Sequence, residues 1–182
     1  MAIATKPPTE SPAAAPTPAS ASAKPVENKL VIFAWSGELD KMWPTLILAT
    51  TSAAMGQETT VFFTFWGLFP LIKNEVRFTG DNLMQRMLST MNRGGMSHLK
   101  TTKMNFAGGG PMMMRSLAKK YNVASPEELL GLAKEMGIKL VPCQMTMDML
   151  GIKREDLIDG LEEPAGATTA LLQAQGAATL FI

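Results

Sequence analysis

Short apolar runs that alternate with helical stretches constrain the fold of this chain more than any other feature. Residues 30–34 and 59–65 are β-prone runs, and each is followed within three residues by a Trp and a Gly. Between them, Asp40 can cap a helix over residues 41–54. A strand, a helix and a strand within about 37 residues are typical of a βαβ unit, in which the two strands pair in parallel.

The C-terminal half continues the alternation. Ser125 and Glu128 form a capping box with Pro126 at the first helical position, and the apolar helix face that follows ends at Gly137. Residues 138–142 form the next predicted strand, which places Cys143 at its carboxyl end. Helical pieces are predicted at residues 145–150, 154–159 and 167–175, and a last strand at 178–182. The pattern predicts a layered α/β fold with a mainly parallel sheet.

The N-terminal segment has a composition of its own. Residues 1–28 contain six of the twelve prolines and eight alanines, which favours a disordered tail ahead of a single domain over residues 29–182. The tail has no apolar run long enough for a signal peptide and no Arg for a mitochondrial presequence, so we expect a cytoplasmic protein.

Composition excludes several classes of function. A single Cys cannot form an internal disulfide, a two-Cys zinc half-site or a C-x-x-C redox pair. A net charge of +1 predicts neither nucleic acid nor an anionic membrane surface as a partner. The uncharged segments 42–57 and 59–72 are shorter than the roughly 20 apolar residues that a transmembrane helix needs. No integral span is therefore expected, and a peripheral membrane contact stays open.

Cys143 is the candidate reactive residue. The carboxyl ends of parallel strands are where ligands collect in α/β sheets, and a thiol just before a helix is exposed to backbone N–H groups that favour the thiolate. The alternative is an inert core thiol. The single histidine, His98, has no sequence spacing that pairs it with Cys143.

The 15 methionines cluster in two places. Eight lie between residues 84 and 114, and Met145, Met147 and Met149 follow the Cys. Met84, Met87 and Met91 have the spacing of an apolar helix face that packs on the core. A flexible lid over the thiol, a docking surface for a partner and a soft-metal site are the alternatives.

Five separated motifs occur along the chain: SGELDK at 36–41, FFTFWG at 62–67, KMNF at 103–106, CQMTMDMLGI at 143–152 and LFI at 180–182. Together they resemble the DsrE/DsrF/DrsH-like family, and more narrowly its longer, Met-rich branch that is often labelled peroxiredoxin-like. The resemblance extends from about residue 29 to the C-terminus. A Met-rich insertion, at about residues 78–114, distinguishes the chain from the shorter members.

This resemblance implies a three-layer α/β sandwich around a parallel sheet of about five strands, the fifth near residues 103–106. It also implies a homo-oligomer in cytoplasmic sulfur metabolism, in which Cys143 holds sulfane sulfur as a persulfide. Rhodanese-type sulfur donors and TusA-like carriers are the implied partners.

The sequence therefore predicts a sulfur carrier whose Cys143 thiolate takes sulfur from a donor persulfide and passes it to an acceptor thiol. Such an exchange needs an accessible thiolate and no metal or cofactor, and none is expected. Backbone N–H groups of Gln144 and Met145 would stabilise the thiolate. The remaining pocket residues are predicted to be Ser36, Gly37, Trp66 and Gly67, with polar contacts from Asn105 and His98.

Two other functions stay open. A one-Cys thiol peroxidase would also use Cys143, although the chain lacks the Pro-x-x-x-[TS]-x-x-Cys motif of peroxiredoxins. In an oligomeric or membrane-associated scaffold, the Met-rich surface would matter and Cys143 would be incidental.

Overall fold

The predicted alternation of strands and helices is present in the structure, a computed structural model that describes residues 28–76 and 82–182. Except for Asn28, the predicted disordered tail lies outside the described residues. The strands are β1 (Lys29–Ala34), β2 (Glu58–Phe63), β3 (Lys139–Pro142) and β4 (Ala178–Phe181). The α-helices are α1 (Leu39–Ala54), α2 (Leu83–Met91), α3 (Gly109–Lys120), α4 (Pro126–Glu135), α5 (Gln144–Leu150) and α6 (Ala167–Gln173).

The four strands form one parallel sheet in the order β3-β2-β1-β4. Phe33 pairs with Phe62 on one side and with Phe181 on the other, and Phe62 pairs with Val141. This register places Phe181, Phe33, Phe62 and Val141 in one row across the sheet. The α/β class and the mainly parallel sheet are confirmed.

One face of the sheet carries the main core. Leu30, Ile32, Val61, Phe63 and Leu140 are buried on this face, because alternate residues of a strand point to the same side. They pack under the apolar faces of α1 and α4. The predicted capping box that begins α4 is present, with Ser125 and Glu128 bonding each other's backbone N–H.

The opposite face has a smaller core. Phe62, Val141 and Cys143 are buried there against Ala170 of α6, with Phe33 and Ala165 beside them. Strand β4 is exposed at every residue, and the exposed Trp35 stacks on Phe181 with ring centroids 6.1 Å apart. Parallel sheets are usually covered on both faces, so this coverage is unusually thin.

The fifth strand expected near residues 103–106 was wrong. This segment is a loop that leads into a 3-10 helix, Phe106–Gly108, and Met104, Phe106 and Ala107 have positive φ angles of 57°, 37° and 53°. A residue with positive φ turns the chain out of the extended conformation that a strand requires.

The expected Met-rich insertion is helical in part. Part of it, residues 78–81, lies outside the described residues, and α2 and α3 follow. The helix predicted from Met84 and Met87 is confirmed. Their predicted packing on the core was wrong, since Met84 and Met87 have 74% and 55% of their surface area exposed. Across residues 28–76 and 82–182, none of the helices has the length and apolar character needed to cross a bilayer.

Candidate functional site

The carboxyl ends of β1, β2 and β3 are joined by backbone hydrogen bonds that continue beyond the sheet. Thr64 N donates to Ala34 O at 2.9 Å, Gly67 N to Trp35 O at 3.0 Å, and Cys143 N to Phe63 O at 2.9 Å. The three predicted strand ends therefore lie side by side at one edge of the molecule, where ligands bind in α/β sheets.

Two glycines bring the first two of these ends into direct contact. A Cβ atom on Gly67 would overlap the carbonyl group of Ala34, and a Cβ atom on Gly37 would overlap the carbonyl group of Trp66. Neither glycine has a positive φ, so the requirement is one of space and not of backbone conformation. Any larger residue at either position would separate the two loops.

Cys143 lies at the end of β3, as predicted, but its side chain is not accessible. Only 2% of the residue is exposed, and it belongs to the small core formed with Phe62, Val141 and Ala170. Ala165 covers it further, through a parallel bridge between the two residues. The expectation of an accessible thiol was wrong for a single chain, because Cys143 lies on the face that α6 covers.

The backbone next to Cys143 is also engaged. Helix α5 begins at Gln144, one residue before the predicted start, and the N–H of Gln144 donates to Ala165 O at 3.0 Å. The expected role of this N–H in stabilising the thiolate was therefore wrong. The Gln144 side chain donates to Asp148 Oδ1 at 2.7 Å, and Met145 points outward with 62% of its area exposed.

A cavity of about 270 Å³ lies on another side of the strand ends. It combines Gly37 and Trp66 from the loops after β1 and β2 with His98 from the insertion, all three of which the sequence predicted as pocket residues. Its other lining residues are Glu38, Phe69, Asn92, Arg93, Leu99 and Lys100. The predicted pocket is thus divided, because neither Cys143 nor Gln144 nor Met145 lines this cavity.

The other predicted residues do not line the cavity. Ser36 is buried, and its hydroxyl donates to the Glu38 carboxylate. Gly67 lies against the carbonyl group of Ala34 in the loop contact described above. Asn105 is in the loop before α3 and does not line the cavity, and its buried Oδ1 has no hydrogen-bond partner among the described residues.

The insertion is tied to the start of α1. Leu39 N donates to Lys100 O at 2.8 Å, and Thr102 N donates to Asp40 Oδ1 at 2.8 Å. Burial raises the pKa of the Asp40 carboxyl, but hydrogen bonds from Thr102 and from the backbone of Asp40, together with the charge of Lys41, hold the pKa below its ordinary value.

A second, more apolar cavity of about 310 Å³ lies beside the first, and Trp66 lines both. Leu88 of α2 and Met149 of α5 both line it, and Gln85 Nε2 donates to Met149 O at 3.1 Å. Of the methionines after the thiol, Met149 therefore contacts the insertion. Within the described ranges, no three His, Cys, Asp or Glu side chains lie close enough together to hold a metal ion.

The sequence interpretation missed the two cations of the first cavity and the residues that cover the thiol. Arg93 and Lys100 lie in a polar loop without periodicity, and other charged residues such as Arg86 and Lys103 lie in the same insertion, so no sequence signal distinguished them. Ala165 and Ala170 carry no chemical signal, because small residues are common in any tightly packed segment.

Comparison with known proteins shows the family of the chain. Residues 26–181 match the sequence model of the DsrE/DsrF/DrsH-like family. The chain belongs to this family. It is 38% identical over 156 residues to the uncharacterized protein YrkE of Bacillus subtilis. The aligned residues cover 85% of this chain and 97% of YrkE.

Two further likenesses concern a curated protein and a solved structure. The chain is 38% identical over 144 residues to the sulfur carrier protein DsrE2 of Allochromatium vinosum. The aligned residues cover 78% of this chain and 89% of that protein. The crystal structure of the ychN protein from E. coli superposes with a TM-score of 0.52 at 14% identity, covering 85% of this chain and 98% of that one. The latter likeness supports the fold alone.

The contact between the strand-end loops predicts a strong steric effect. Gly67→Ala and Gly37→Ala should each lower the free energy of unfolding by about 1–3 kcal/mol, because the added methyl group must displace backbone and not a flexible side chain. Urea denaturation followed by circular dichroism measures this change.

Gly131→Ala is the matched control. Gly131 lies inside α4 with nothing within 4 Å of the added Cβ, so this substitution should stabilise the chain by about 0.5–1 kcal/mol. Equal effects at positions 67 and 131 would contradict the steric explanation.

Proposed function

We propose that this chain is a sulfur carrier that accepts a sulfane sulfur on Cys143 and passes it to the thiol of a partner. The supporting observation is the position of the chain's single thiol, at the carboxyl end of β3 directly before α5, in a family member 38% identical to a protein named as a sulfur carrier. One thiol is sufficient for such a carrier, since the second thiol of each exchange belongs to the partner.

The chemistry consists of two exchanges without net oxidation. The Cys143 thiolate attacks the outer sulfur of a donor persulfide, R–S–SH, so that a Sγ–S bond forms, the donor's S–S bond breaks, and the donor leaves as R–S⁻ and takes up a proton. An acceptor thiolate then attacks the outer sulfur of Cys143–S–SH. The acceptor becomes the persulfide, and Cys143 returns to the thiolate.

Burial of Cys143 requires that its cover opens during each exchange. Helix α6 has only seven residues, no side-chain cap, and one buried residue, Ala170. Gly166 precedes it and Gly176, with a φ of 74°, follows. Segments with so little buried area open at low free-energy cost, so α6 is suited to move aside when a partner engages.

The partners that we propose are a rhodanese-type donor and a TusA-like acceptor, both of which present a reactive cysteine. Each must reach Cys143 from the α6 side of the sheet, because the other side is filled by α1 and α4. The relay belongs in the cytoplasm, since a carrier with a free thiol needs a reducing compartment.

The thinly covered face of the sheet also supports a homo-oligomer. Trp35, Phe181, Phe33 and Phe62 form a continuous aromatic row that ends beside Cys143. Trp35 and Phe181, at the outer end of this row, are 42% and 71% exposed. Strand β4 is at the edge of the sheet, with one side free of strand pairing among the described residues. A second copy on this surface would bury both the aromatic row and the edge.

Persulfide loading tests the proposal directly. After incubation with glutathione persulfide, intact-protein mass spectrometry should show one added sulfur atom, and peptide mapping should locate it on Cys143. Cys143→Ser should gain none. A wild-type chain that stays unmodified under saturating donor, or that gains only oxygen, would overturn the sulfur-carrier proposal.

Movement of α6 can be measured by thiol labelling. Leu171→Gly should lower the stability of α6 by about 1 kcal/mol, because glycine is a poor helix former, and so raise the rate of reaction of Cys143 with a disulfide reagent about fivefold. Leu132→Gly makes the same change at an exposed position of α4 and should leave the rate unchanged. Equal acceleration by both variants would show that the thiol is exposed by general unfolding.

Oligomer formation through the aromatic row can be tested by light scattering after size-exclusion chromatography. Phe181→Ala should reduce the molar mass towards that of a single chain, because it removes the most exposed side chain of the row. Phe106→Ala is the control, since Phe106 is 74% exposed in the insertion. A monomeric wild type, or an unchanged mass for Phe181→Ala, would contradict the proposed interface.

A further inference from the structure

The cavity between the ends of β1 and β2 has no role in the proposed sulfur exchange, because the thiol lies on the face of the sheet under α6. The cavity nevertheless has the features of a binding site. It lies at the carboxyl ends of parallel strands, and it is lined by charged, polar and aromatic side chains from three separate segments.

Two cations of the lining have no partner in the part of the chain that the structure describes. Neither the guanidinium group of Arg93 nor the ammonium group of Lys100 forms a hydrogen bond or an ion pair there. Glu38, the one carboxylate of the lining, accepts a hydrogen bond from Ser36. The lining thus has a net charge of +1 with neutral His98, and both positive groups are available to a ligand.

The segment that carries these cations is held in place by backbone contacts. Gly95 N donates to Phe69 O at 2.9 Å, Leu39 N donates to Lys100 O at 2.8 Å, and His98 Nδ1 lies 3.1 Å from Gly94 O. Binding to a wall that is already ordered avoids the entropy cost of ordering it. The insertion that distinguishes this chain from shorter family members therefore supplies a preformed wall with two free cations.

The floor of the cavity is apolar. The rings of Trp66 and Phe69 lie 5.4 Å apart at an angle of 49°, and Leu99 is buried beside them. A volume of about 270 Å³ lies just below the usual range for ligand pockets, so only a small ligand fits. A bare inorganic ion would leave this aromatic floor without a contact.

We infer that the cavity binds a small organic anion. Its carboxylate or other oxoanion group lies between Arg93 and Lys100, and its planar or apolar part packs on Trp66. The ligand class follows from the combination of unpaired cations and aromatic floor, and it is independent of what happens at Cys143.

Benzoate is a suitable probe, because it combines one carboxylate with one planar ring. Titration of the full chain, followed by tryptophan fluorescence and by isothermal calorimetry, should show saturable binding. Benzamide has the same ring without the charge, and inorganic phosphate has charge without a ring. Both should bind at least about tenfold more weakly, since each lacks one of the two contacts.

Matched variants locate the site. Arg93→Gln and Lys100→Gln should each weaken benzoate binding about tenfold through the loss of a charge-assisted hydrogen bond. Lys103→Gln removes an equivalent exposed cation from the same insertion, outside the cavity, and should leave the affinity unchanged. Absence of saturable binding, or an equal loss of affinity in all three variants, would overturn the inference.

Discussion

The direct contact between the loops that follow β1 and β2 determines where everything else at this edge of the molecule can lie. Gly67 meets the carbonyl group of Ala34, and Gly37 meets that of Trp66, at distances that leave no room for a Cβ atom. This contact draws the N-terminus of α1 and the 3-10 helix Phe65–Leu71 together. The cavity, the attachment of the insertion and the position of Trp66 between two cavities all depend on it.

The sequence was sufficient to predict the layered α/β class, the parallel sheet and the place of Cys143 at a strand end. Runs of β-branched and aromatic residues and one well-formed capping box specify these features locally. Alternation along β3 could even have placed Cys143 on the same face as Val141. It could not show that α6 covers this face, because Ala165 and Ala170 are distant from Cys143 in the sequence and have no functional group that would mark them.

The insertion was the part that sequence patterns described least well. The spacing of its methionines correctly indicated a helix, but a helical period does not reveal whether a core is present to receive the apolar face. The supposed fifth strand failed at Met104, Phe106 and Ala107, where positive φ angles make a turn. Likewise, the convergence of Arg93 and Lys100 on one cavity depends on tertiary contacts with Phe69 and Leu39, which no local motif encodes.

Under the proposed function, the cover over Cys143 has a consequence for the fate of the carried sulfur. A persulfide is a strong nucleophile and readily gives up its outer sulfur to any abundant small thiol, so an exposed carrier would leak its cargo into the cellular glutathione pool. A persulfide enclosed by Phe62, Val141 and α6 is insulated from such encounters for as long as the helix stays closed. In such a carrier, the acceptor is selected by its ability to displace α6, and the specificity of transfer depends on access to Cys143 and not on the reactivity of the sulfur.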